Sequence, residues 1–245
     1  MKNDIDNKYT DFYNKRQHEN VYPNELVVRT LLSNYPNLNI KKPQPGNSIL
    51  DVAFGDGRNT VLLCDLFLDV YGIEITKEIV NQTSQRLAKL GYTPNLDVGR
   101  NSDMPDQDEK FDYILACHCC YYCDEGETLV DNLNEYERVL KKGGVLIASV
   151  ADIESYIFND AEAMNDGTMI IKNDPYKNRN GYRLQGFSSK KEIERYFSRH
   201  FTNFSFAHSD NNYYGIEEKL FWVVCEKKKN ILAWAQVNRF SLIIR

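Results

Sequence analysis

The chain has 245 residues, 42% of them hydrophobic, with 35 acidic against 30 basic side chains and a formal charge of −5. That is one ordinary domain with embellishments, apolar enough to bury a core and too acidic for the counterion-displacing binding that nucleic acids select. No apolar leader opens the sequence and no run reaches membrane-spanning length, so a cytoplasmic protein is expected, its six cysteines free thiols.

Residues 1–47 read as an N-terminal helical cap and a linker. Up to about Asn20 they are polar, with Tyr9, Phe12 and Tyr13 interspersed. From Asn24 onward Val27, Val28, Leu31 and Leu32 share a helical face that ends at Asn34-Tyr35-Pro36. Two prolines and a glycine within residues 41–47 mark the linker.

The stretch Ser48-Ile-Leu-Asp-Val-Ala-Phe-Gly-Asp-Gly57 is the centre of the pattern. Ile49, Leu50 and Val52 suit a strand buried on both faces. Gly55 and Gly57 come next, and residues 58–66 read as a helix, a strand–turn–helix that brings backbone N–H groups close to a polar ligand. A dinucleotide turn would place a third glycine where Thr60 stands. Residues 68–74 form a second strand ending in the carboxylate of Glu74, with Thr76 as the cap of a helix over 76–90 that Gly91 stops. Short strands are expected at 95–98 and 111–116. The helix over 127–140 leaves through Lys-Lys-Gly-Gly into a strand at 145–150.

Residues 151–187 are too long for a plain connection, and long ordered insertions are usually functional. Ser189-x-x-Glu192 caps one more helix, and residues 204–208 and 220–225 read as a closing antiparallel pair. Residues 229–245 form a tail with no assigned role.

Taken together, D-V-A-F-G-D-G, G-I-E-I-T, F-D-Y-I-L-A and L-K-K-G-G-V-L-I-A resemble the class I S-adenosylmethionine-dependent methyltransferase family, over about residues 48–150. One departure is Ala53, where the family carries a first glycine. The resemblance implies a doubly wound, Rossmann-like α/β fold: a seven-stranded sheet, mostly parallel with an antiparallel last strand, and helices on both faces. It spans residues 48–228, with the insertion at about 151–187 on the substrate side. It also implies S-adenosylmethionine as cofactor. Asp51, Ala53, Gly55 and Gly57 would hold the methionine part, Glu74 and Ile75 the ribose side, and Asn101, Ser102 and Met104 the adenine, with Cys117 lining the pocket. An acidic residue usually meets the adenine amine in the loop after the third strand; Arg100 stands there, so Asn101 is the expected acceptor. The N-terminal segment would fold across the mouth, bringing Tyr13 and Tyr22 to the site.

Methyl transfer from a sulfonium needs alignment and, for a hydroxyl acceptor, a base. His118, at the end of the fourth strand, is the expected catalytic base. Cys117, Cys119, Cys120 and Cys123 surround it, but neighbours leaving a strand point apart, so no metal is expected. In residues 168–187, Lys172, Lys177, Arg179 and Arg183 stand against one acid, Asp174, with Tyr176 and Tyr182 interleaved. Cations suit an anion and planar rings suit a sugar or base. The expected substrate residues are Tyr13, Tyr22, Tyr122, Tyr176, Arg179 and Arg183. The expected partner is a small phosphorylated or nucleotide-linked acceptor, a sugar hydroxyl for surface polysaccharide as in bacterial sugar O-methyltransferases. Neither membrane nor nucleic acid is expected. An N- or RNA methyltransferase and a non-catalytic cofactor-binding partner protein are the alternatives.

Overall fold

The computed structural model describes residues 2–16 and 20–229. Seven strands build the main sheet: β1 (Ser48–Val52), β2 (Asp69–Glu74), β3 (Asn95–Val98), β4 (Phe111–Ala116), β5 (Leu140–Asp152), β6 (Phe201–Tyr213) and β7 (Ile216–Lys227). Their order is β6-β7-β5-β4-β1-β2-β3, and Gly186–Phe187 adds a short parallel segment at the end of β5. Strands β1 to β5 run parallel. β7 runs against the other six, pairing antiparallel with β5 on one side and β6 on the other. This is the doubly wound α/β sheet expected from the sequence.

Hydrophobic pattern explains the placement. All five residues of β1 are buried, as a central parallel strand demands, while the edge strand β3 is largely exposed. The register sets Asp51 beside Gly72 on one side and Leu115 on the other. Hence the turn after β1, the end of β2 and the end of β4 open on one edge of the sheet, at the switch point where strand order reverses.

The helices are α1 (Lys2–Lys15), α2 (Glu25–Leu32), α3 (Arg58–Asp65), α4 (Lys77–Lys89), α5 (Leu129–Val139) and α6 (Lys190–Phe197). Asn24, Thr76 and Ser189 cap α2, α4 and α6 through side-chain oxygens that accept backbone N–H groups, and Thr128 with Asp131 forms a capping box on α5.

Two elements depart from the expected bounds. β5 begins directly after α5, so Lys141 to Gly144 lie in the strand, not in a helix exit. β6 and β7 run to 13 and 12 residues because they extend past the sheet as a polar ribbon that no apolar run announces.

The insertion also joins the core of the site. A 3-10 turn at Tyr156–Phe158 leads into a second sheet ordered Tyr122–Cys123, Arg183–Leu184, Met169–Ile170, Glu162–Ala163. The segment after β4 and the insertion are thereby woven together over the strand ends. Apart from Lys229, the expected C-terminal tail lies outside the described residues.

Candidate active site

At the shared strand edge lies a cavity of about 520 Å3, walled by the β1 turn, the ends of β2 and β4, helix α1, the insertion and the start of β7. The turn is built from left-handed backbone: φ is +53° at Ala53, +57° at Gly55 and +77° at Gly57. Ala53 therefore keeps a glycine-like conformation despite its Cβ, at a cost of about 1 kcal/mol. A Cβ on Gly55 would run into the phenol of Tyr13, which α1 lays over the turn.

Glu74 closes the other side of this cradle. Its Oε1 accepts the Gly55 N–H at 3.0 Å and its Oε2 the Ile75 N–H at 2.8 Å. Burial pushes its carboxyl up to about 7, partly offset by those two N–H groups. Asp51 sits one layer below, buried, accepting from the Thr60 hydroxyl at 2.7 Å. Burial likewise pushes it up to about 7, the Thr60 bond opposing and Glu74 and Asp56 adding to the rise.

The segment after β4 is pinned through its backbone. The Cys119 and Tyr122 carbonyls accept from the Asn101 amide at 2.8 and 3.3 Å, and the Cys120 and Tyr122 carbonyls from Asn132 at 3.0 and 2.8 Å. Asn101 Oδ1 in turn accepts from the Tyr136 hydroxyl at 2.7 Å. Both amide hydrogens of Asn101 are thus committed and the residue ties α5 to this segment, its Oδ1 keeping one lone pair. Arg100 is committed as well, to Asp6 and to Asp124. The thiols serve the fold: Cys119 Sγ donates to the Val52 carbonyl at 3.2 Å, and burial pushes Cys117 up to about 12. Among the described residues no three His, Cys, Asp or Glu side chains group as metal ligands.

His118 is held at φ +60° with its N–H on Ser149 Oγ at 2.7 Å. Its Nε2 lies 3.1 Å from Asn24 Nδ2. Asn24 Oδ1 is occupied by the Leu26 N–H at the start of α2, so the amide presents its NH2 to the ring and Nε2 accepts. Burial, with Arg179 and Arg58 adding repulsion, pushes the imidazole down to about 4. The lone pair that a base needs is engaged.

The insertion contributes Arg179. Its Nε donates to the Tyr122 hydroxyl and its Nη1 to the Tyr156 hydroxyl, each at 2.9 Å. Tyr9 shares the Tyr122 hydroxyl at 3.0 Å. Asp174, 3.5 Å from Nη1, is buried beneath the loop, where it caps the N–H groups of Tyr176, Asn178 and Arg179.

Of the residues singled out in the sequence, Ala53, Glu74, Ile75, Asn101, Ser102, Cys117, His118, Tyr13, Tyr122, Tyr176 and Arg179 line the cavity. Gly55 and Gly57 shape the turn, and Asp51 underlies it. Met104 is buried away from the opening with its N–H on Glu135 at 3.0 Å. Tyr22 is 75% exposed outside it, and Arg183 turns to Asp166 at 2.6 Å. Asp6, Asn24, Arg58, Tyr156 and Glu218 also line the wall, and the sequence pattern did not single them out. For Asp6 a signal existed, since it shares a helical face with Tyr9 and Tyr13. For Glu218 there was none.

The sheet order, with this cleft at its switch point, is the fold of solved S-adenosylmethionine-dependent methyltransferases. Residues 50–148 match the family of the methyltransferase domain. The chain is 25% identical to an uncharacterized protein of Methanocaldococcus jannaschii over 152 residues, 61% of this chain and 62% of that one, so it spans less than two thirds of that relative. It is 27% identical to an uncharacterized methyltransferase of Anoxybacillus flavithermus over 158 residues, 63% and 72% of the two chains. In fold it is similar to a Thermotoga maritima structure described as a possible histamine N-methyltransferase, with a TM-score of 0.59, 20% identity, and 92% of this chain and 100% of that one covered. The residues fit the cofactor: a left-handed glycine turn beneath Tyr13, and a carboxylate whose oxygens keep lone pairs for a diol.

Proposed function

We propose that the chain transfers a methyl group from S-adenosylmethionine to a small anionic acceptor, a hydroxyl of a nucleotide-linked or otherwise phosphorylated sugar. The cofactor supplies a methyl carbon already activated on a sulfonium. Glu74 receives the ribose hydroxyls, the turn from Ala53 to Gly57 takes the methionine part above Asp51, and Ile75 with Ser102 faces the base. Asn101 acts on that end indirectly, by fixing the carbonyls of Cys119 and Tyr122.

The observation that carries the acceptor class is Arg179. Its guanidinium lines the cavity on two tyrosine hydroxyls, Asp174 meets it only at 3.5 Å while accepting loop N–H groups, and Nη2 has no hydrogen-bond partner among the described residues. A cation so placed attracts an anion, and the rings of Tyr122, Tyr156 and Tyr176 offer faces to a sugar. Radiolabelled methyl transfer into pooled nucleotide sugars tests this. Arg179→Ala is expected to raise the acceptor KM about a hundredfold, the loss of one to two charge-assisted bonds, with S-adenosylhomocysteine affinity unchanged. Arg183→Ala, whose side chain faces Asp166, is expected to leave KM alone. An unaltered KM in Arg179→Ala removes the anion site.

A further inference from the structure

Five carboxylates line the cavity: Asp6, Asp56, Glu74, Asp124 and Glu218. Four are committed. Asp6 and Asp124 hold Arg100, Asp56 holds Arg58 at 3.0 Å, and Glu74 holds two backbone N–H groups. Glu218 alone has no side-chain hydrogen bond or ion pair among the described residues, yet it is half-buried where its neighbour Glu217 on the polar ribbon lies exposed.

Strand geometry explains why. Side chains of β7 alternate, so Ile216, Glu218, Leu220 and Trp222 share one face. Trp222 packs edge-on against His118, with ring centroids 6.2 Å apart, which fixes that face toward the end of β4. Leu220 pairs with Ala151 near the end of β5, and Glu218, two residues beyond, enters the cavity from the rim. It thus stands on the insertion side, with Arg179 and Tyr156.

We infer that Glu218 is the group that takes the proton from the acceptor hydroxyl as the methyl is transferred, a role that rests on reading this cavity as a methyl-transfer site. The balance is simple. The acceptor oxygen forms its bond to the methyl carbon, the carbon–sulfur bond breaks and leaves its pair on sulfur, and the hydroxyl proton passes to a Glu218 oxygen. A sulfonium cation and a carboxylate anion become a neutral thioether and a neutral acid, so both charges vanish together. His118 does not compete for this role, because its Nε2 lone pair faces the Asn24 amide.

The surroundings suit a base. The groups that face Glu218 are Arg179 from the insertion, Tyr156 from the 3-10 turn, and Tyr121 and Cys117 from the segment after β4. Tyr156 and Cys117 are each pushed up to about 12 by burial and Tyr121 is pushed up too, so all three are neutral at pH 7. Burial raises the Glu218 carboxyl and Arg179 lowers it, a balance that keeps a carboxylate available while making it more basic than one in water.

The test compares wild type, Glu218→Gln and Glu218→Asp. With tritium-methyl S-adenosylmethionine and the pooled nucleotide sugars, Glu218→Gln is expected to lose roughly a hundredfold or more in kcat, with KM and S-adenosylhomocysteine affinity within about threefold. Glu218→Asp should recover part of that loss, and the wild-type rate should rise with pH to a plateau that the Gln variant lacks. A second readout needs no acceptor: in glutamate-13C-labelled protein saturated with S-adenosylhomocysteine, the carboxyl resonance missing from Glu218→Gln should titrate above the free value of about 4.3. A Gln variant with wild-type kcat, or a Glu218 resonance titrating at or below the free value, overturns the assignment. Wild type inert toward every nucleotide sugar overturns the acceptor class instead, and the resonance then decides Glu218 by itself.

Discussion

Gly55 holds φ +57° with the Tyr13 phenol packed where a Cβ would stand, whereas Gly46 holds φ +83° with nothing within 4 Å of that place. Both positions penalise an L side chain through the backbone by about 1–2 kcal/mol. Only the first also fills space over the turn. Gly55→Ala and Gly46→Ala are therefore expected to lower Tm alike, by roughly 2–8 °C at this chain length, while calorimetry with S-adenosylhomocysteine separates them. Affinity should fall at least about tenfold for Gly55→Ala, a loss of about 1.4 kcal/mol, and stay unchanged for Gly46→Ala. Equal affinities would mean that the cofactor does not pass over the turn. The glycines were legible in the sequence. What was not is that Ala53 keeps a left-handed conformation, since sequence shows the residue type and not the φ that its neighbours enforce. The surroundings of His118 were hidden for a similar reason. A histidine at a strand end is visible in one dimension, but its pairing with Asn24, 94 positions away, is not.

Elements carried by apolar periodicity were legible: β1, β2, β4, α4 and α5 fall within a residue or two of their expected places, because each buries a stripe or a whole strand. Helix α1 buries a face of another kind. Asp6, Tyr9, Thr10 and Tyr13 recur at helical spacing, but their partners are Arg100, the Tyr122 hydroxyl at 3.0 Å, the Thr76 hydroxyl at 3.1 Å and the Gly55 turn. Lys8 reaches the Asn180 carbonyl at 2.7 Å and Asn14 meets Gln82 at 2.6 Å, so α1 ties the insertion to α4 across the cavity mouth. Held at the rim by these contacts and by Tyr9 and Tyr13 on the small cluster of Phe54, Ile79 and Val80, it is expected at the low-stability end of the structure. Removal of residues 1–16 is expected to leave the sheet folded, with Tm lowered by only a few degrees. Stopped-flow should show S-adenosylhomocysteine leaving at least about tenfold faster, the same 1.4 kcal/mol read as a rate. A truncated chain that releases it at the wild-type rate would show that α1 does not close the site.

The whole molecule titrates against its own site. Asp51 and Glu74 are both pushed up to about 7, mainly by burial, whereas in the unfolded chain they titrate near about 4. Between those values the folded state keeps protons that the unfolded chain releases. The stability these groups lend is therefore complete below about pH 4 and lost as pH rises through about 7. His118, pushed down to about 4 by burial, and His200, pushed down by burial too, act oppositely: the stability they lend is complete above about 6.5 and is lost as pH falls. From pH 6.5 to 8 the unfolded histidines give up only their last protons, while the carboxylates, joined by Glu218 and toward pH 8 by the six thiols, all raised by burial, lower the stability together. The free protein is thus expected to melt lower at pH 8 than at pH 6.5. Ribose hydroxyls and an ammonium favour the ionised carboxylates, so binding S-adenosylmethionine at pH 6.5 should release protons, measurable by calorimetry in buffers of different ionisation heat. The Tm gain on binding should accordingly be larger at pH 8 than at pH 6.5. Proton uptake on binding, or a gain that shrinks toward pH 8, would mean that the cofactor meets these two carboxyls protonated, and that they hold the fold without gripping the ligand.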